Sequence, residues 1–353
     1  MRTVRIHRLI LLAIPFVFAA AANAQTWTIQ ISGASSSLRG ISVVRSSTSP
    51  HGPIVWATGS NGAIFRSDEG GNNWTRLNKI ASGESLDIRG VRAFDEKTAY
   101  VMSSGPGDKS RIYKTTDGGV VWELQFVDER PAVFLDDIVC FAETKCFVLG
   151  DPIDEKFFMI ATDDGKHWHE LPRDNMPPIL QGEGAFAASG TSLIAYGKSD
   201  LYFVTGGAAT ARVFHSPVLG RTWTVNDTPI AAGNASSGIF SIARAGDTLV
   251  VVGGDYRVPA GTTAVAAYSK DAGKTWTLSA TQPSGYRSAV AFINATTLIC
   301  AGTNGEDISH DSGITWTHTG ALNMNAVAVF DEMNAWAVGG RGTFARFVPE
   351  KPH

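Results

Sequence analysis

The chain has 353 residues, with 30 basic against 33 acidic side chains and a net charge of −3. That balance leaves no cationic footprint for nucleic acid or for an anionic membrane surface. Its 37 glycines and modest charge, with no long amphipathic period, favour many short strands and tight turns over a helical bundle.

The N-terminus reads as a processing segment. Arg2, Arg5 and Arg8 precede an apolar run over residues 9–22, and Ala22-Asn23-Ala24 has the small-x-small pattern of a cleavage site. The run is about 14 residues, short of the roughly 20 that span a bilayer. Residues 1–24 are therefore expected to be a signal peptide, with export to the periplasm or the extracellular space. No cysteine follows the site, so a lipid anchor there is not expected. Loss of the three arginines takes the mature charge to about −6. No further membrane segment is expected, and residues 25–353 read as one domain.

Tryptophan then recurs along the rest of the chain at Trp27, Trp74, Trp122, Trp168, Trp223, Trp276 and Trp316. The mean step is about 48 residues, a period that belongs to radial β-arrays. Six of the seven close an eight-residue box. It is clearest in Ser269-Lys270-Asp271-Ala272-Gly273-Lys274-Thr275-Trp276 and in the segment ending Asp311-Ser312-Gly313-Ile314-Thr315-Trp316. An Asp at the third position can accept N–H groups of its own turn, and a Gly at the fifth can take positive φ. The Asp positions are read as Asp117, Asp163, Asp271 and Asp311; Trp74 follows Glu69 instead, and Trp223 follows Val218. A structural turn tolerates such losses and a metal ligand does not, so the boxes are read as scaffold.

Each repeat also opens on a hexamer with a small second residue, at 39–44, 89–94, 136–141, 183–188, 237–242, 287–292 and 325–330. Such a hexamer suits a crowded innermost strand. Seven hexamers predict an all-β, seven-bladed β-propeller of four-stranded blades. The C-terminus supplies three strands of the last blade, so the lone strand from Trp27 to Ile31 is expected to close the ring as its fourth.

The three cysteines are Cys140, Cys146 and Cys300. Cys140 and Cys146 flank a predicted hairpin and are read as small buried strand residues, with a disulfide as the alternative in an exported protein. Cys300 is expected to be buried and inert.

In this fold the first hexamer positions lie at one mouth of the central channel. They are Arg39, Arg89, Asp136, Glu183, Ser237, Arg287 and Asn325. Arg287, Arg39 and Arg89 are expected on one arc, and Asp136 and Glu183 on the next. Three guanidinium groups there would hold a carboxylate or an acidic partner loop. The plain alternative is a hydrated channel lining whose charges pair locally. Loops between the second and third strands, including the one that carries Tyr256, are expected at the same mouth.

The boxes are Asp-box (BNR) repeats. With the Gly-Gly-x-Gly hairpin at Val338-Gly339-Gly340-Arg341-Gly342, the chain resembles the photosystem II stability/assembly-factor family of exported seven-bladed propellers. That resemblance implies a non-catalytic assembly or interaction scaffold; with the arginine-bearing mouth, the expectation is a monomer that binds a protein partner or a small acidic ligand and takes no cofactor. Asp boxes also occur in sialidases, which implies an alternative: Arg39, Arg89 and Arg287 as an arginine triad, Tyr286 or Tyr256 as nucleophile, and Asp136, Asp137 or Glu183 as acids. No phosphate-loop, zinc-helix or nucleophile-elbow pattern is present. His167 and His169 flank Trp168 with no third ligand nearby, so no metal site is expected.

Overall fold

A computed structural model describes residues 26–46, 52–78, 80 and 85–348. The signal-peptide and cleavage readings on residues 1–24 lie outside them. Among the described residues the chain forms seven antiparallel sheets of four strands. Blade 1 runs outward from Leu38–Val44 through Ile54–Gly59 and Ala63–Ser67 to Thr75–Arg76. The innermost strands of blades 2 to 6 are Ile88–Ala93, Leu135–Ala142, Leu193–Tyr196, Ser237–Ala245 and Ala289–Phe292.

Blade 7 mixes the two chain ends. Met324–Asp331, Asn334–Gly339 and Thr343–Val348 are completed by Thr26–Ile31. Six consecutive positions of that strand pair with Val348 through Thr343, and Trp27 packs edge-on against Phe347 at 5.4 Å. The predicted seven-bladed architecture and its closure are thus both present.

Among the described residues the core is divided among eight apolar clusters, one at each of the seven interfaces between neighbouring blades and a small one of Phe186, Ala188, Phe240 and Tyr286 at the channel. Leu38, Val55 and Phe65 of blade 1 meet Trp336 and Phe344 of blade 7, for example, and Val139 and Leu149 of blade 3 meet Phe203 and Phe214 of blade 4. A period-2 strand buried on both faces explains the near-continuous Val, Ile and Ala content of the second strands, such as Leu249-Val250-Val251-Val252.

The boxes are turns held by their own side chains. Thr115 Oγ1 accepts the Gly119 N–H at 2.9 Å, while Asp117 Oδ1 accepts the Val120 and Val121 N–H groups at 3.0 Å each. Gly119 sits at φ 87°, in the left-handed region that a side chain would strain. The same bonds recur around Asp271, whose carboxyl is held down at about 2 by Thr275, and around Asp311. Where Val218 replaces Asp, Ser216 Oγ still accepts the Gly220 N–H at 2.9 Å, so the turn survives without its carboxylate.

Blade 3 requires a correction. Its turn is one residue shorter, and the carboxylate that accepts the Lys166 and His167 N–H groups, each at 2.8 Å, is Asp164. Asp163, the residue expected there, is exposed and stands outside these bonds. The ring of His167 also bonds Asp164, at 2.6 Å. Asp164→Ala is therefore expected to lower the melting temperature by a few degrees, and Asp163→Ala to leave it unchanged; equal effects in thermal denaturation would contradict this assignment.

A second set of contacts, unread in the sequence, ties four of the six boxes to the blade before them. An aromatic residue on a second strand lies across from a cation or imidazole on the third at Trp56/Arg66, Tyr100/Lys114, Tyr202/His215 and Trp336/Arg346. One member of each pair donates to a carbonyl in the next blade's box turn, as Tyr100 does to Gly165 at 2.9 Å and Trp336 to Gly70 at 3.1 Å. The box tryptophans pack onto the same aromatics, Trp122 on Trp56 and Trp168 on Tyr100, both edge-on.

Cys140 and Cys146 are directly opposite one another on the inner hairpin of blade 3 and form a disulfide. That overturns the expectation of two separate buried thiols; the pairing register puts both side chains on one face, as bridging requires. Cys300 is a buried free thiol, and burial pushes its pKa far up.

Candidate functional site at the channel mouth

Five innermost strands share one irregularity. The ladder skips a residue between Leu38 and Gly40, Ile88 and Gly90, Leu135 and Asp137, Ile239 and Ser241, and Met324 and Ala326. A bulge of this kind leaves one residue unpaired and re-aims its side chain. The skipped residues are Arg39, Arg89, Asp136, Phe240 and Asn325. The residue before each bulge is buried in its own blade.

This register decides which expected site residues meet. Arg39, Arg89 and Asn325 line a cavity of about 320 Å³ together with Tyr256 and Tyr286. Its remaining walls are Phe186, Phe240, Ala187, Ala188 and Thr303. Larger hollows, of about 500 Å³ beside Lys156 and Arg173 and about 440 Å³ beside Trp74 and Phe344, lie on the outer strands and loops and draw on fewer blades.

Arg287 is not in the cavity, contrary to expectation. In blade 6 Ser288 follows the bulge pattern, its N–H bonding Ala301, and Arg287 falls one place earlier, where the other blades hold Leu38, Ile88, Leu135, Ile239 and Met324. A side-chain carbon added to Gly302 would lie 3.2 Å from the Arg287 Cα, just as one on Gly339 would lie 3.1 Å from that of Met324. Arg287 is fully buried and forms an ion pair with Asp307, its Nε donating at 2.6 Å. It also donates to the Tyr286 carbonyl, Asn304 and Ser284.

Glu183 is a second correction. Residues 183–188 are not the innermost strand of blade 4; Leu193–Tyr196 is, and 183–188 belong to a segment inserted before it. Glu183 is buried, bonded to Thr205 at 2.6 Å and paired with Arg212. Ser237 likewise lies three residues before the bulge of blade 5, which Phe240 occupies.

The inserted segment crosses the channel and forms the floor of the cavity. Arg89 donates to the Ala187 carbonyl at 3.1 Å, Arg92 to the Gly190 carbonyl at 2.6 Å, and Thr191 bonds Ser241 at 2.7 Å. Asp137 is fully buried and accepts the Leu193 N–H at 2.8 Å, which anchors the end of the segment. Phe186 stacks on Phe240 with ring centroids 3.9 Å apart, and Tyr286 meets Phe240 edge-on at 4.8 Å. Phe186 and Phe240 were missed in the sequence, although both stand at the fourth place of their hexamers.

The two arginines differ. Arg89 is held by Asp87, whose carboxylate takes its Nε at 2.8 Å. Arg39 is half-buried and, among the described residues, has no hydrogen-bond or ion-pair partner. Burial and then the neighbouring Arg89 lower its pKa, against the pull of Asp87 and Tyr286. Burial pushes the Tyr286 phenol far up, so it is a neutral hydroxyl. No carboxylate lines the cavity among the described residues. The sialidase-like set is therefore not assembled: Arg287 and Glu183 are turned into their own blades, and Asp137 is committed to the segment below.

Asp136 lies beside the site and does not line it. It is buried, and its Oδ2 has no partner among the described residues. Burial, with Asp151 and Asp137 alongside, raises its pKa well above the carboxylate range, and Arg89 offsets part of this. A carboxyl whose pKa is raised by folding contributes stability below its unfolded pKa and loses it as pH rises through the folded value. Asp136→Asn is expected to raise the melting temperature in mildly alkaline buffer, with the gain vanishing below the ordinary aspartate pKa of about 3.9. A gain independent of pH would contradict a neutral Asp136.

With this geometry in place, known proteins offer a comparison. No family model matches the chain. Over 153 residues it is 28% identical to the vacuolar protein sorting/targeting protein 10 of Pyricularia oryzae, a match covering 43% of this chain and 9% of that protein. The chain thus spans a small part of the length of that curated relative. Among solved structures it superposes on YCF48 bound to D1 peptide with a TM-score of 0.65 and 15% identity, covering 92% of this chain and 97% of that one. The chain has the propeller fold of YCF48. It also superposes on the GH74 xyloglucanase from Xanthomonas campestris with a TM-score of 0.60 and 15% identity, covering 91% of this chain and 53% of that one. At such identities the likeness is one of fold. Among the described residues no helix is long and apolar enough to cross a membrane.

Proposed function

We propose that this protein is an exported, monomeric, non-catalytic propeller scaffold, similar to the photosystem II assembly and stability factors. It binds a protein partner or small ligand through an acidic group received at the channel mouth. The observation that carries this reading is Arg39, a half-buried guanidinium beside Arg89 with no carboxylate of its own. A desolvated cation whose neighbouring carboxylate, Asp87, is bonded to Arg89 instead is unfavourable, and a ligand carboxylate relieves it through charge-assisted bonds. The solved YCF48 complex, in which a protein of this fold holds a peptide, supports the same direction.

The test is capture from the envelope fraction of the host by the tagged mature chain. Each charge-assisted hydrogen bond contributes about 1.5–3 kcal/mol, so Arg39→Gln with Arg89→Gln is expected to weaken capture at least about tenfold. Equal capture by parent and variant, with both folded, would contradict the assignment.

A further inference from the structure

The cavity is divided across its axis. Blades 7, 1 and 2 supply Asn325, Arg39 and Arg89, whereas Phe186 and Phe240 come from blades 4 and 5 on the far side, with Tyr286 between. We propose that its occupant is an aromatic carboxylate: a planar ring on the phenylalanine side, joined by a short linker to a carboxylate on the arginine side. This rests on the reading of the channel mouth as a binding site, and it names the ligand class.

Three features carry it. The first is size: about 320 Å³ lies at the low end of the roughly 300–1,000 Å³ of small-molecule sites, so the space takes one compact group and no folded element. The second is charge, with two guanidiniums and no carboxylate in the lining. A dicarboxylate or phosphate would use both cations and leave the opposite wall unmatched. The third is that wall. The Phe186–Phe240 stack and the edge-on Tyr286 present aromatic surface to the bottom of a polar channel, where a hydrated lining alone would call for polar side chains. Arg89 reaches the Ala187 carbonyl beside Phe186 at 3.1 Å, so the two halves are one short span apart.

The same chemistry has two sources, a free aromatic acid or the C-terminal aromatic residue of a chain. Isothermal titration calorimetry of the folded chain with four probes separates them: 3-phenylpropanoate, its neutral amide, propanoate, and N-acetylphenylalanine. The phenylpropanoate is expected to bind at least about tenfold more tightly than both the amide and propanoate. N-acetylphenylalanine binding as well or better identifies a chain end, and its exclusion identifies a free acid. Arg39→Gln is expected to abolish the preference for acid over amide, and Phe240→Leu to abolish the preference for phenylpropanoate over propanoate. Equal affinity for phenylpropanoate and propanoate, or no binding of any probe, would overturn the proposal. If envelope capture still depends on Arg39 and Arg89 in that case, the ligand class is wrong and the site stands. If capture is also indifferent to them, both fall.

Discussion

Arg287→Ala is expected to destabilise the propeller by about 3–5 kcal/mol, because it leaves the Asp307 carboxylate buried without its cation. The contacts Asp307 keeps, from the Ser284 N–H at 3.0 Å, the His318 ring at 3.7 Å and the Cys300 thiol, do not replace a buried guanidinium. Blade 1 predicts the rescue. There Leu38 stands where blade 6 has Arg287, and Phe65, paired with Ala57, stands where blade 6 has Asp307 paired with Cys300. The double variant Arg287→Met with Asp307→Leu is expected to recover most of the loss, since replacing a buried pair with apolar residues of similar volume is often neutral or stabilising. Urea midpoints of the parent, the single variant and the double variant give the comparison. A single variant as stable as the parent would show that the guanidinium is not committed to the blade, and Arg287 would return as a candidate for the channel. The same result decides how binding data are read, because any loss of binding in Arg287→Ala otherwise reports unfolding.

Removing residues 26–31 is expected to cost more than about 3 kcal/mol and to expose an aggregation-prone edge. Six ladder positions along Thr343–Val348 lose their partners, and Phe347 loses the cover of Trp27. The effect reaches blade 1 as well, because the Trp74 indole donates to Gln30 Oε1 at 2.9 Å and Gln30 donates onward to the Asn72 carbonyl at 3.2 Å. Blade 1, like blade 4, has a box without its aspartate, Glu69 standing in that place, so the N-terminal strand adds bonds to a turn that lacks the aspartate-to-backbone pair. Thermal denaturation and size-exclusion chromatography of the truncated chain test this. A truncated chain that melts with the parent and stays monodisperse would show that the ring does not depend on its closure.

The fold was legible because its signals are local. A box needs a hydroxyl, an acceptor and a left-handed glycine at fixed spacing, and the tryptophan that follows marks the outer strand. The shortened turn at Asp164 escaped because Asp163 and Asp164 are adjacent and only the bond from Gly165 to Thr162, at 3.0 Å, reveals the missing residue. The channel mouth was half legible. Arg39, Arg89 and Asn325 align correctly, and their polarity marks an axis-facing position. Bulge phase is not local information, however. A slip of one residue sends a side chain from the axis into the blade, and small second residues fit more than one phase. Arg287 in blade 6 was placed one residue out of phase, and in blade 5 Ser237 was taken for the axis-facing position three residues before Phe240. The insertion in blade 4 hid its strand behind a segment of similar composition, and Phe186 went with it. The Cys140–Cys146 bridge depended on the same kind of register.

The most direct measurement is equilibrium binding of the recovered envelope partner to the parent, to Arg39→Gln and to Arg130→Gln. Arg130 is an exposed arginine of the outer surface, paired with Asp128 and Glu170, and controls for charge alone. With Arg39 as the anchor, Arg39→Gln weakens binding at least about tenfold and Arg130→Gln leaves it unchanged. Equal affinity of Arg39→Gln and the parent would contradict a binding site at the channel mouth.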